Sequence, residues 1–232
     1  MKKLVLVLAD AGLELVPREL WSHPAVKSHA KRRGKNPGRM LLDISVHYAA
    51  MKTLNEYWKR GRPDIVHVSL LVAQDSVLNR LGYLHTVIHT YDGKLVELDP
   101  SMVVPRNYNR FVGLFEQLLE KGQVPPGSEK PLAKLRTGRN LGEVLKEMGV
   151  DAVYRLSEKG EPVKPLDLAR RIAGSDVPAV IIGAFQRGEF SKEVLSIEAE
   201  EYSIFREALP AWTVVAEVVV SLEHVSVWGA SH

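Results

Sequence analysis

Two short apolar runs, Leu4-Val5-Leu6-Val7-Leu8 and Pro178-Ala179-Val180-Ile181-Ile182-Gly183, do most to limit what this chain can fold into. A strand that is apolar at every position must be covered on both faces, which parallel sheets achieve by placing helices above and below. The pattern around the second run alternates accordingly. Asn140 and Glu143 have capping-box spacing for a helix ending near Gly149, and Asp151–Leu156 reads as a strand. Pro165–Ala173 reads as a helix stopped by Gly174, Glu193–Ile197 as a strand, and the segment from Leu209 through Trp212, Val215, Val219 and Leu222 as a strongly apolar helix. The expected class is α/β.

The first half is less regular. Leu13–Leu20 has the mixed character of a short helix. The stretch 27–39 holds six Lys and Arg side chains and two glycines without apolar periodicity, and reads as a basic loop. Leu41–Met51 reads as a strand end turning into a helix that runs to about Trp58, capped by Asp43 or Ser45. Gly61-Arg62-Pro63 breaks the chain, and Asp64 is placed to cap a helix through Ile65, Val68, Leu71 and Val72; a buried strand competes for this run. Tyr83–Thr90 and Leu95–Leu98 flank an Asp92-Gly93 hairpin signal. A helix carrying Phe111, Leu114, Phe115, Leu118 and Leu119 then ends near Gly122, and Val124–Pro131 is the expected seam.

With 232 residues, 45% hydrophobic and 25% charged, the chain is long enough for a substantial core. A formal charge of +3 is compatible with a polyanionic partner. The absence of cysteine excludes disulfides, thiolate zinc sites and cysteine nucleophiles. The apolar N-terminal run reaches Asp10 too soon for a signal peptide, and no window reads as a bilayer span. An intracellular, cytoplasmic protein without membrane contact is expected.

Arg106 and Arg110, four apart at the head of a helix, place two guanidinium groups near the free N–H groups of its first turn. Helix termini already repel cations there, so an anion site is the functional reading and a pair of solvated capping arginines the structural one. Gly183-Ala184-Phe185-Gln186-Arg187-Gly188 leaves the buried strand where α/β proteins bind ligands; on its own it reads as a plain tight turn in preference to a cofactor loop. His85 and His89 are spaced too widely on a strand to share a metal, and no metal site is expected. No nucleophile elbow or phosphate-binding Walker loop is present.

Arg62-Pro63-Asp64-Ile65-Val66-His67, Asp75-Ser76-Val77-Leu78-Asn79, Ile88-His89-Thr90, Pro105-Arg106-Asn107-Tyr108-Asn109-Arg110-Phe111 and Ile182-Gly183-Ala184-Phe185 occur in one order. Together with Leu41-Leu42-Asp43-Ile44-Ser45-Val46-His47 they resemble the essential-for-mitotic-growth family of SPOUT-class methyltransferases of small-subunit ribosomal RNA, over nearly the whole chain. The resemblance implies one SPOUT-type domain over 1–232, a C-terminal trefoil knot with a cofactor-binding region at about 151–232, and a β-hairpin elaboration. It further implies a homodimer, S-adenosylmethionine as methyl donor, N1 of a pseudouridine as acceptor and a part in small-subunit assembly.

By the same resemblance Arg62 contacts the target nucleotide and Asp64 holds that arginine or takes the proton, making both candidate catalytic residues, while Arg106 and Arg110 contact RNA. Val103 and Asn109 depart from the family's usual arginine and aspartate. Donor contacts fall on Leu156 or its neighbour Ser157, on Gly183, Gly188, Glu189 and Phe190, and on Ile204, Phe205, Arg206, Glu207, Ala208 and Leu209. A ribose hydroxyl or uridine N3 acceptor, a non-catalytic RNA-binding assembly factor, and an ordinary α/β binding module remain the competing readings.

Overall fold

The computed structural model describes residues 1–229. In chain order the elements are β1 (Leu4–Ala11), α1 (Pro24–Arg33), α2 (Ile44–Met51), α3 (Pro63–Gln74) and the single-turn α4 (Val77–Arg80). Next come β2 (Leu84–Thr90), β3 (Leu95–Leu98), α5 (Tyr108–Lys121), β4 (Gln123–Val124), β5 (Ala133–Arg136) and α6 (Leu141–Glu147). The chain continues with β6 (Ala152–Pro162), α7 (Pro165–Ala173), β7 (Pro178–Gly183), α8 (Lys192–Leu195), β8 (Glu200–Ser203) and α9 (Ala211–Glu223).

The eight strands of the described residues form one sheet in the order β4-β5-β3-β2-β1-β7-β6-β8. The half built on β1 is parallel: β1 pairs with β2 and β7, and β6 with β7 and β8. The hairpin strand β3 reverses direction and carries β5 and β4 as an antiparallel arm. The apolar run of β1 divides between the two faces as a period of two requires. Leu4, Leu6 and Leu8 join the core beneath α3, α5, α7 and α9, while Val5, Val7 and Ala9 pack with α6 and α8. Every residue of β1 is buried.

Several elements depart from the sequence reading for identifiable reasons. The stretch 27–39 is not a loop. Residues through Arg33 belong to α1, whose start is capped by the His23 ring accepting the Ala25 N–H and whose end is closed by Gly34 at φ 61°. Cations in its last turn suit the negative end of the helix dipole. The buried Glu116 of α5 then takes Arg33 (2.5 and 3.0 Å), Lys35 (2.6 Å) and the Leu41 N–H (3.1 Å), which pins the basic segment to α5. Beneath it, Val26 and Ala30 of α1 meet Ala50 and Met51 of α2 in a satellite core.

Leu13–Leu20 is not a helix beyond a 3-10 turn at Arg18–Leu20 after Pro17, and Leu15 bridges to Leu41 in antiparallel fashion. Helix α2 stops at Met51, well short of Trp58, because the chain there turns into a 3-10 segment entered through Glu56 at φ 46°. The Val124–Pro131 stretch is no seam: it links β4 to β5 inside the antiparallel arm, and β5 itself went unread. Glu193–Ile197 is not a strand, since Ser191 caps the short α8 by accepting the Val194 N–H (3.3 Å). With its continuation to Trp228, α9 is long and apolar enough by composition to cross a bilayer, against the reading from sequence. Val215, Val218, Val219 and Leu222 of that helix are buried in the core of this fold, against α3 and α7.

A buried polar chain supports the N-cap of α2. His47 is fully buried, its Nδ1 accepts the Asp43 N–H (3.1 Å), and its Nε2 faces His29 Nδ1 at 2.9 Å. With Nδ1 accepting, the proton sits on Nε2 and is donated to His29. Burial, reinforced by the neighbouring His29, lowers the His47 pKa from 6.5 to about 4. A depressed histidine means that the unfolded chain binds the extra proton, so this contribution is complete above pH 6.5 and disappears as pH falls towards 4. The shift corresponds to about 3 kcal/mol at most. Urea denaturation at pH 7 and pH 4.5 should therefore show a larger loss of stability for the wild type than for His47→Gln; parallel losses would place the acid sensitivity elsewhere.

Candidate functional site

Two groups of predicted residues lie on either side of the end of β1. The first is organised by Arg62, which is the N-cap of α3 and is followed by Pro63 at the first helical position, where a missing N–H costs nothing. Asp64 is therefore not the cap. It stands in the first turn, where a carboxylate complements the helix dipole, and both its oxygens are engaged by the guanidinium: Nε donates to Oδ1 at 2.8 Å and Nη2 to Oδ2 at 2.7 Å. This two-pronged, charge-assisted pairing fixes the plane of the arginine. The hydrogen bond to Asp64 raises the Arg62 pKa above its ordinary value, and the nearby Asp43 adds to the rise.

Asp43 arrives there because the Ile44 N–H bonds the Gly61 carbonyl (2.8 Å), docking the start of α2 beside Arg62. As the α2 N-cap it accepts Ser45 N–H at 2.8 Å, and its Oδ2 accepts the Tyr108 hydroxyl at 2.7 Å. Burial first, and that hydrogen bond second, push the Tyr108 pKa up, so the phenol stays neutral. Tyr108 opens α5. The start of α5 is also held to α3 by His67, whose Nε2 meets the Pro105 carbonyl at 2.7 Å and whose ring lies 4.4 Å from that of Phe111.

Arg106 and Arg110 do not share a helical turn as their spacing suggested. The cap is Asn107, so Arg106 lies before the helix, with its side chain 88% exposed and 3.9 Å from Asp75. Arg110 is within the first turn and exposed, beside a shallow groove that also receives Lys35 and Arg39. Val103, where the resemblance leads one to look for a further arginine, is exposed.

The second group surrounds a cleft, open to solvent, at the irregular middle of β6 and the C-terminal ends of β7 and β8. Leu156, Gly183, Gly188, Glu189, Phe190, Ile204, Phe205, Glu207, Ala208 and Leu209 all line it. Arg206 does not: it is 82% exposed and turned to Glu207 at 3.4 Å. The two glycines are required by close approach. A Cβ on Gly183 would meet the Phe185 ring at 2.8 Å, and one on Gly188, which has φ 118°, would meet the Lys59 side chain at 3.1 Å.

Sequence reasoning missed Glu158 and Glu201 in this lining, and singled out the turn from Gly183 to Gly188 without assigning Arg187 within it a contact. The strand was read as ending at Leu156, whereas β6 runs on to Pro162 past an irregularity in its pairing with β8; nothing in the period of the sequence marks that extension. His89, on the far side of β1, is a buried structural partner of Asp10, and the described residues contain no cluster of three His, Asp or Glu able to hold a metal.

The chain is similar to known proteins across its length. The profile of the EMG1/NEP1 methyltransferase family matches residues 6–223. The ribosomal RNA small subunit methyltransferase Nep1 of Staphylothermus marinus is 47% identical over 219 residues, covering 94% of both chains. The protein of the same name from Pyrococcus furiosus is 43% identical, covering 96% of this chain and 97% of its own. The crystal structure of Archaeoglobus fulgidus Nep1 bound to S-adenosylhomocysteine superposes with a TM-score of 0.86 at 36% identity, covering 97% of this chain and 99% of that one. The chain belongs to the EMG1/NEP1 methyltransferase family.

Proposed function

We propose that this protein methylates N1 of a pseudouridine in small-subunit ribosomal RNA, with S-adenosylmethionine as donor, and that it takes part in small-subunit assembly. The observation that carries the reading is the pairing of a glycine-lined cavity at the middle of β6 and the ends of β7 and β8 with the two-pronged Arg62–Asp64 clamp, in a chain whose relatives are named as small-subunit rRNA methyltransferases. A relative that superposes with it holds S-adenosylhomocysteine, the demethylated form of that donor.

The cavity suits such a group. Leu156, Ile182, Leu209 and Val214 offer apolar walls for a flat base, and Glu158, Glu189, Glu201 and Glu207 offer acceptors for hydroxyls, the last three while paired with Lys159, Arg155 and Arg206 respectively. S-adenosylmethionine supplies an electrophilic methyl carried on a sulfonium. The residues that would hold it are Leu156, Gly183, Gly188, Glu189, Phe190, Ile204, Phe205, Glu207, Ala208 and Leu209.

The acceptor nitrogen must shed its proton before it attacks. Arg62 favours this by placing positive charge beside a base carbonyl, where negative charge develops on deprotonation. With both Asp64 oxygens engaged by Arg62, the carboxylate serves to orient the guanidinium and not to take the proton. Arg106 and Arg110 project from the start of α5 to hold phosphates, aided by Lys27, Lys31 and Arg32, which are exposed on α1. We further read the chain as one knotted SPOUT domain that works as a homodimer in the cytoplasm, as its family resemblance implies.

Labelled donor incubated with a small-subunit RNA hairpin should transfer its methyl only when pseudouridine is present; equal labelling of a uridine hairpin would move the acceptor to a ribose hydroxyl or N3, and no labelling with intact binding would leave an assembly factor. Asp64→Asn should lower kcat by about tenfold to a hundredfold, as loss of a charged hydrogen bond of roughly 1.5–3 kcal/mol implies. Its pH–rate profile should keep its shape, and disappearance of the rising limb on the acid side would make Asp64 the general base. Arg106→Ala should weaken hairpin binding and reduce the log–log salt slope by about 0.7, leaving donor affinity intact in calorimetry.

A further inference from the structure

The two groups of site residues are joined through one irregular turn of β1. Between Leu8 and Ala11 its register against β2 slips, and Asp10 in the gap adopts φ 49°, a left-handed conformation rare outside glycine. Such strain persists only where surrounding contacts enforce it, and it concentrates at functional sites. Here the contacts run in both directions. The Ala9 carbonyl accepts the Ala184 N–H (2.8 Å), the Gly12 N–H donates to the Ala184 carbonyl (3.2 Å), and Asp10 Oδ2 accepts the Ser191 N–H (2.5 Å). Both ends of the 184–191 loop, which floors the cavity, are thus fastened to Ala9, Asp10 and Gly12. On the other side, the Gly12 carbonyl accepts the Arg62 N–H at 2.8 Å. No side chain fits at Gly12, because a Cβ would lie 2.8 Å from the Lys59 carbonyl oxygen and 3.0 Å from the Arg62 nitrogen.

The carboxylate that closes this strap is 1% exposed and lies among buried charges. His89 Nδ1 stands 3.2 Å from the Asp10 nitrogen and 3.3 Å from its Oδ1. Lys59, whose side chain is 4% exposed, places Nζ 3.9 Å from Asp10 Oδ2 and 4.9 Å from the centre of the Phe185 ring, with its methylenes under Gly188. The buried cation thus lies directly below the loop, held within ion-pair distance of Asp10.

We propose that Asp10 is a positioning residue for methyl transfer: through its bond to Ser191, and with Lys59 beneath the loop, it fixes the cavity floor relative to Arg62. This rests on the cavity being the donor site, and the following measurements separate the two claims. Asp10→Gly keeps the backbone conformation and removes the carboxylate, while Asp10→Asn keeps an oxygen that can still accept the Ser191 N–H. Asp10→Gly should weaken S-adenosylhomocysteine binding by about tenfold and lower kcat at saturating donor, with hairpin affinity unchanged, and Asp10→Asn should restore donor affinity to within about threefold. Should Asp10→Gly not fold because Lys59 loses one of the two carboxylates near it, the other being Glu56 at 3.8 Å, Asp10→Gly combined with Lys59→Met provides the same test. Donor affinity and kcat within twofold of wild type in a folded strap variant, or equal losses in Asp10→Gly and Asp10→Asn, would overturn the proposal. Survival of donor binding in Gly183→Val would instead overturn the assignment of the cavity.

Discussion

Complete burial of β1 is the constraint from which the rest of the molecule follows. A strand covered on both faces cannot lie at an edge, so β2 and β7 must flank it, and parallel pairing on both sides demands helical crossovers above and below. Those crossovers bring the start of α3 and the loop after β7 to the same end of the sheet. The site is assembled at the one place where this strand gives up its regular pairing, which is why a turn of four residues touches both the arginine and the cavity.

Electrostatics within the site are local and largely balanced. Arg62 is neutralised by Asp64 and faces a second carboxylate on Asp43, which is itself occupied by Ser45 and Tyr108. Each carboxylate has a defined donor, so the guanidinium is oriented without free rotation. Preorganisation of this kind is where a positively charged side chain gains catalytic leverage, since no reorganisation is needed as charge develops.

Elements set by a run of apolar residues or by a proline and glycine at opposite ends were legible in the sequence: β3, α7 and β7 lie where the pattern places them, and Asn140 and Glu143 form the capping box that their spacing announces. Misreadings arose where long-range partners outweigh local pattern. The basic stretch 27–39 looks like solvated loop until the buried Glu116, 75 or more residues away, is seen to hold it. The short β4 and β5 exist because β3 offers an open edge, which no local period reveals. Ordered motifs marked most of the cavity lining and the clamp, but Glu158 and Glu201 fall outside any motif, and Arg206 sits in the correct segment facing the wrong way.

The Glu116 anchor also bears on how this protein meets a polyanion. Of the six cations between Lys27 and Arg39, Arg33 and Lys35 are consumed by that one carboxylate and Arg39 is bound to Glu120 at 2.8 Å. Half of the apparent basicity of this segment is therefore internal mortar. What remains for displacing counterions from a nucleic acid is a small rigid set of point charges on α1 and the start of α5, so shape and the spacing of those few points, more than bulk attraction, would set which folded RNAs can dock.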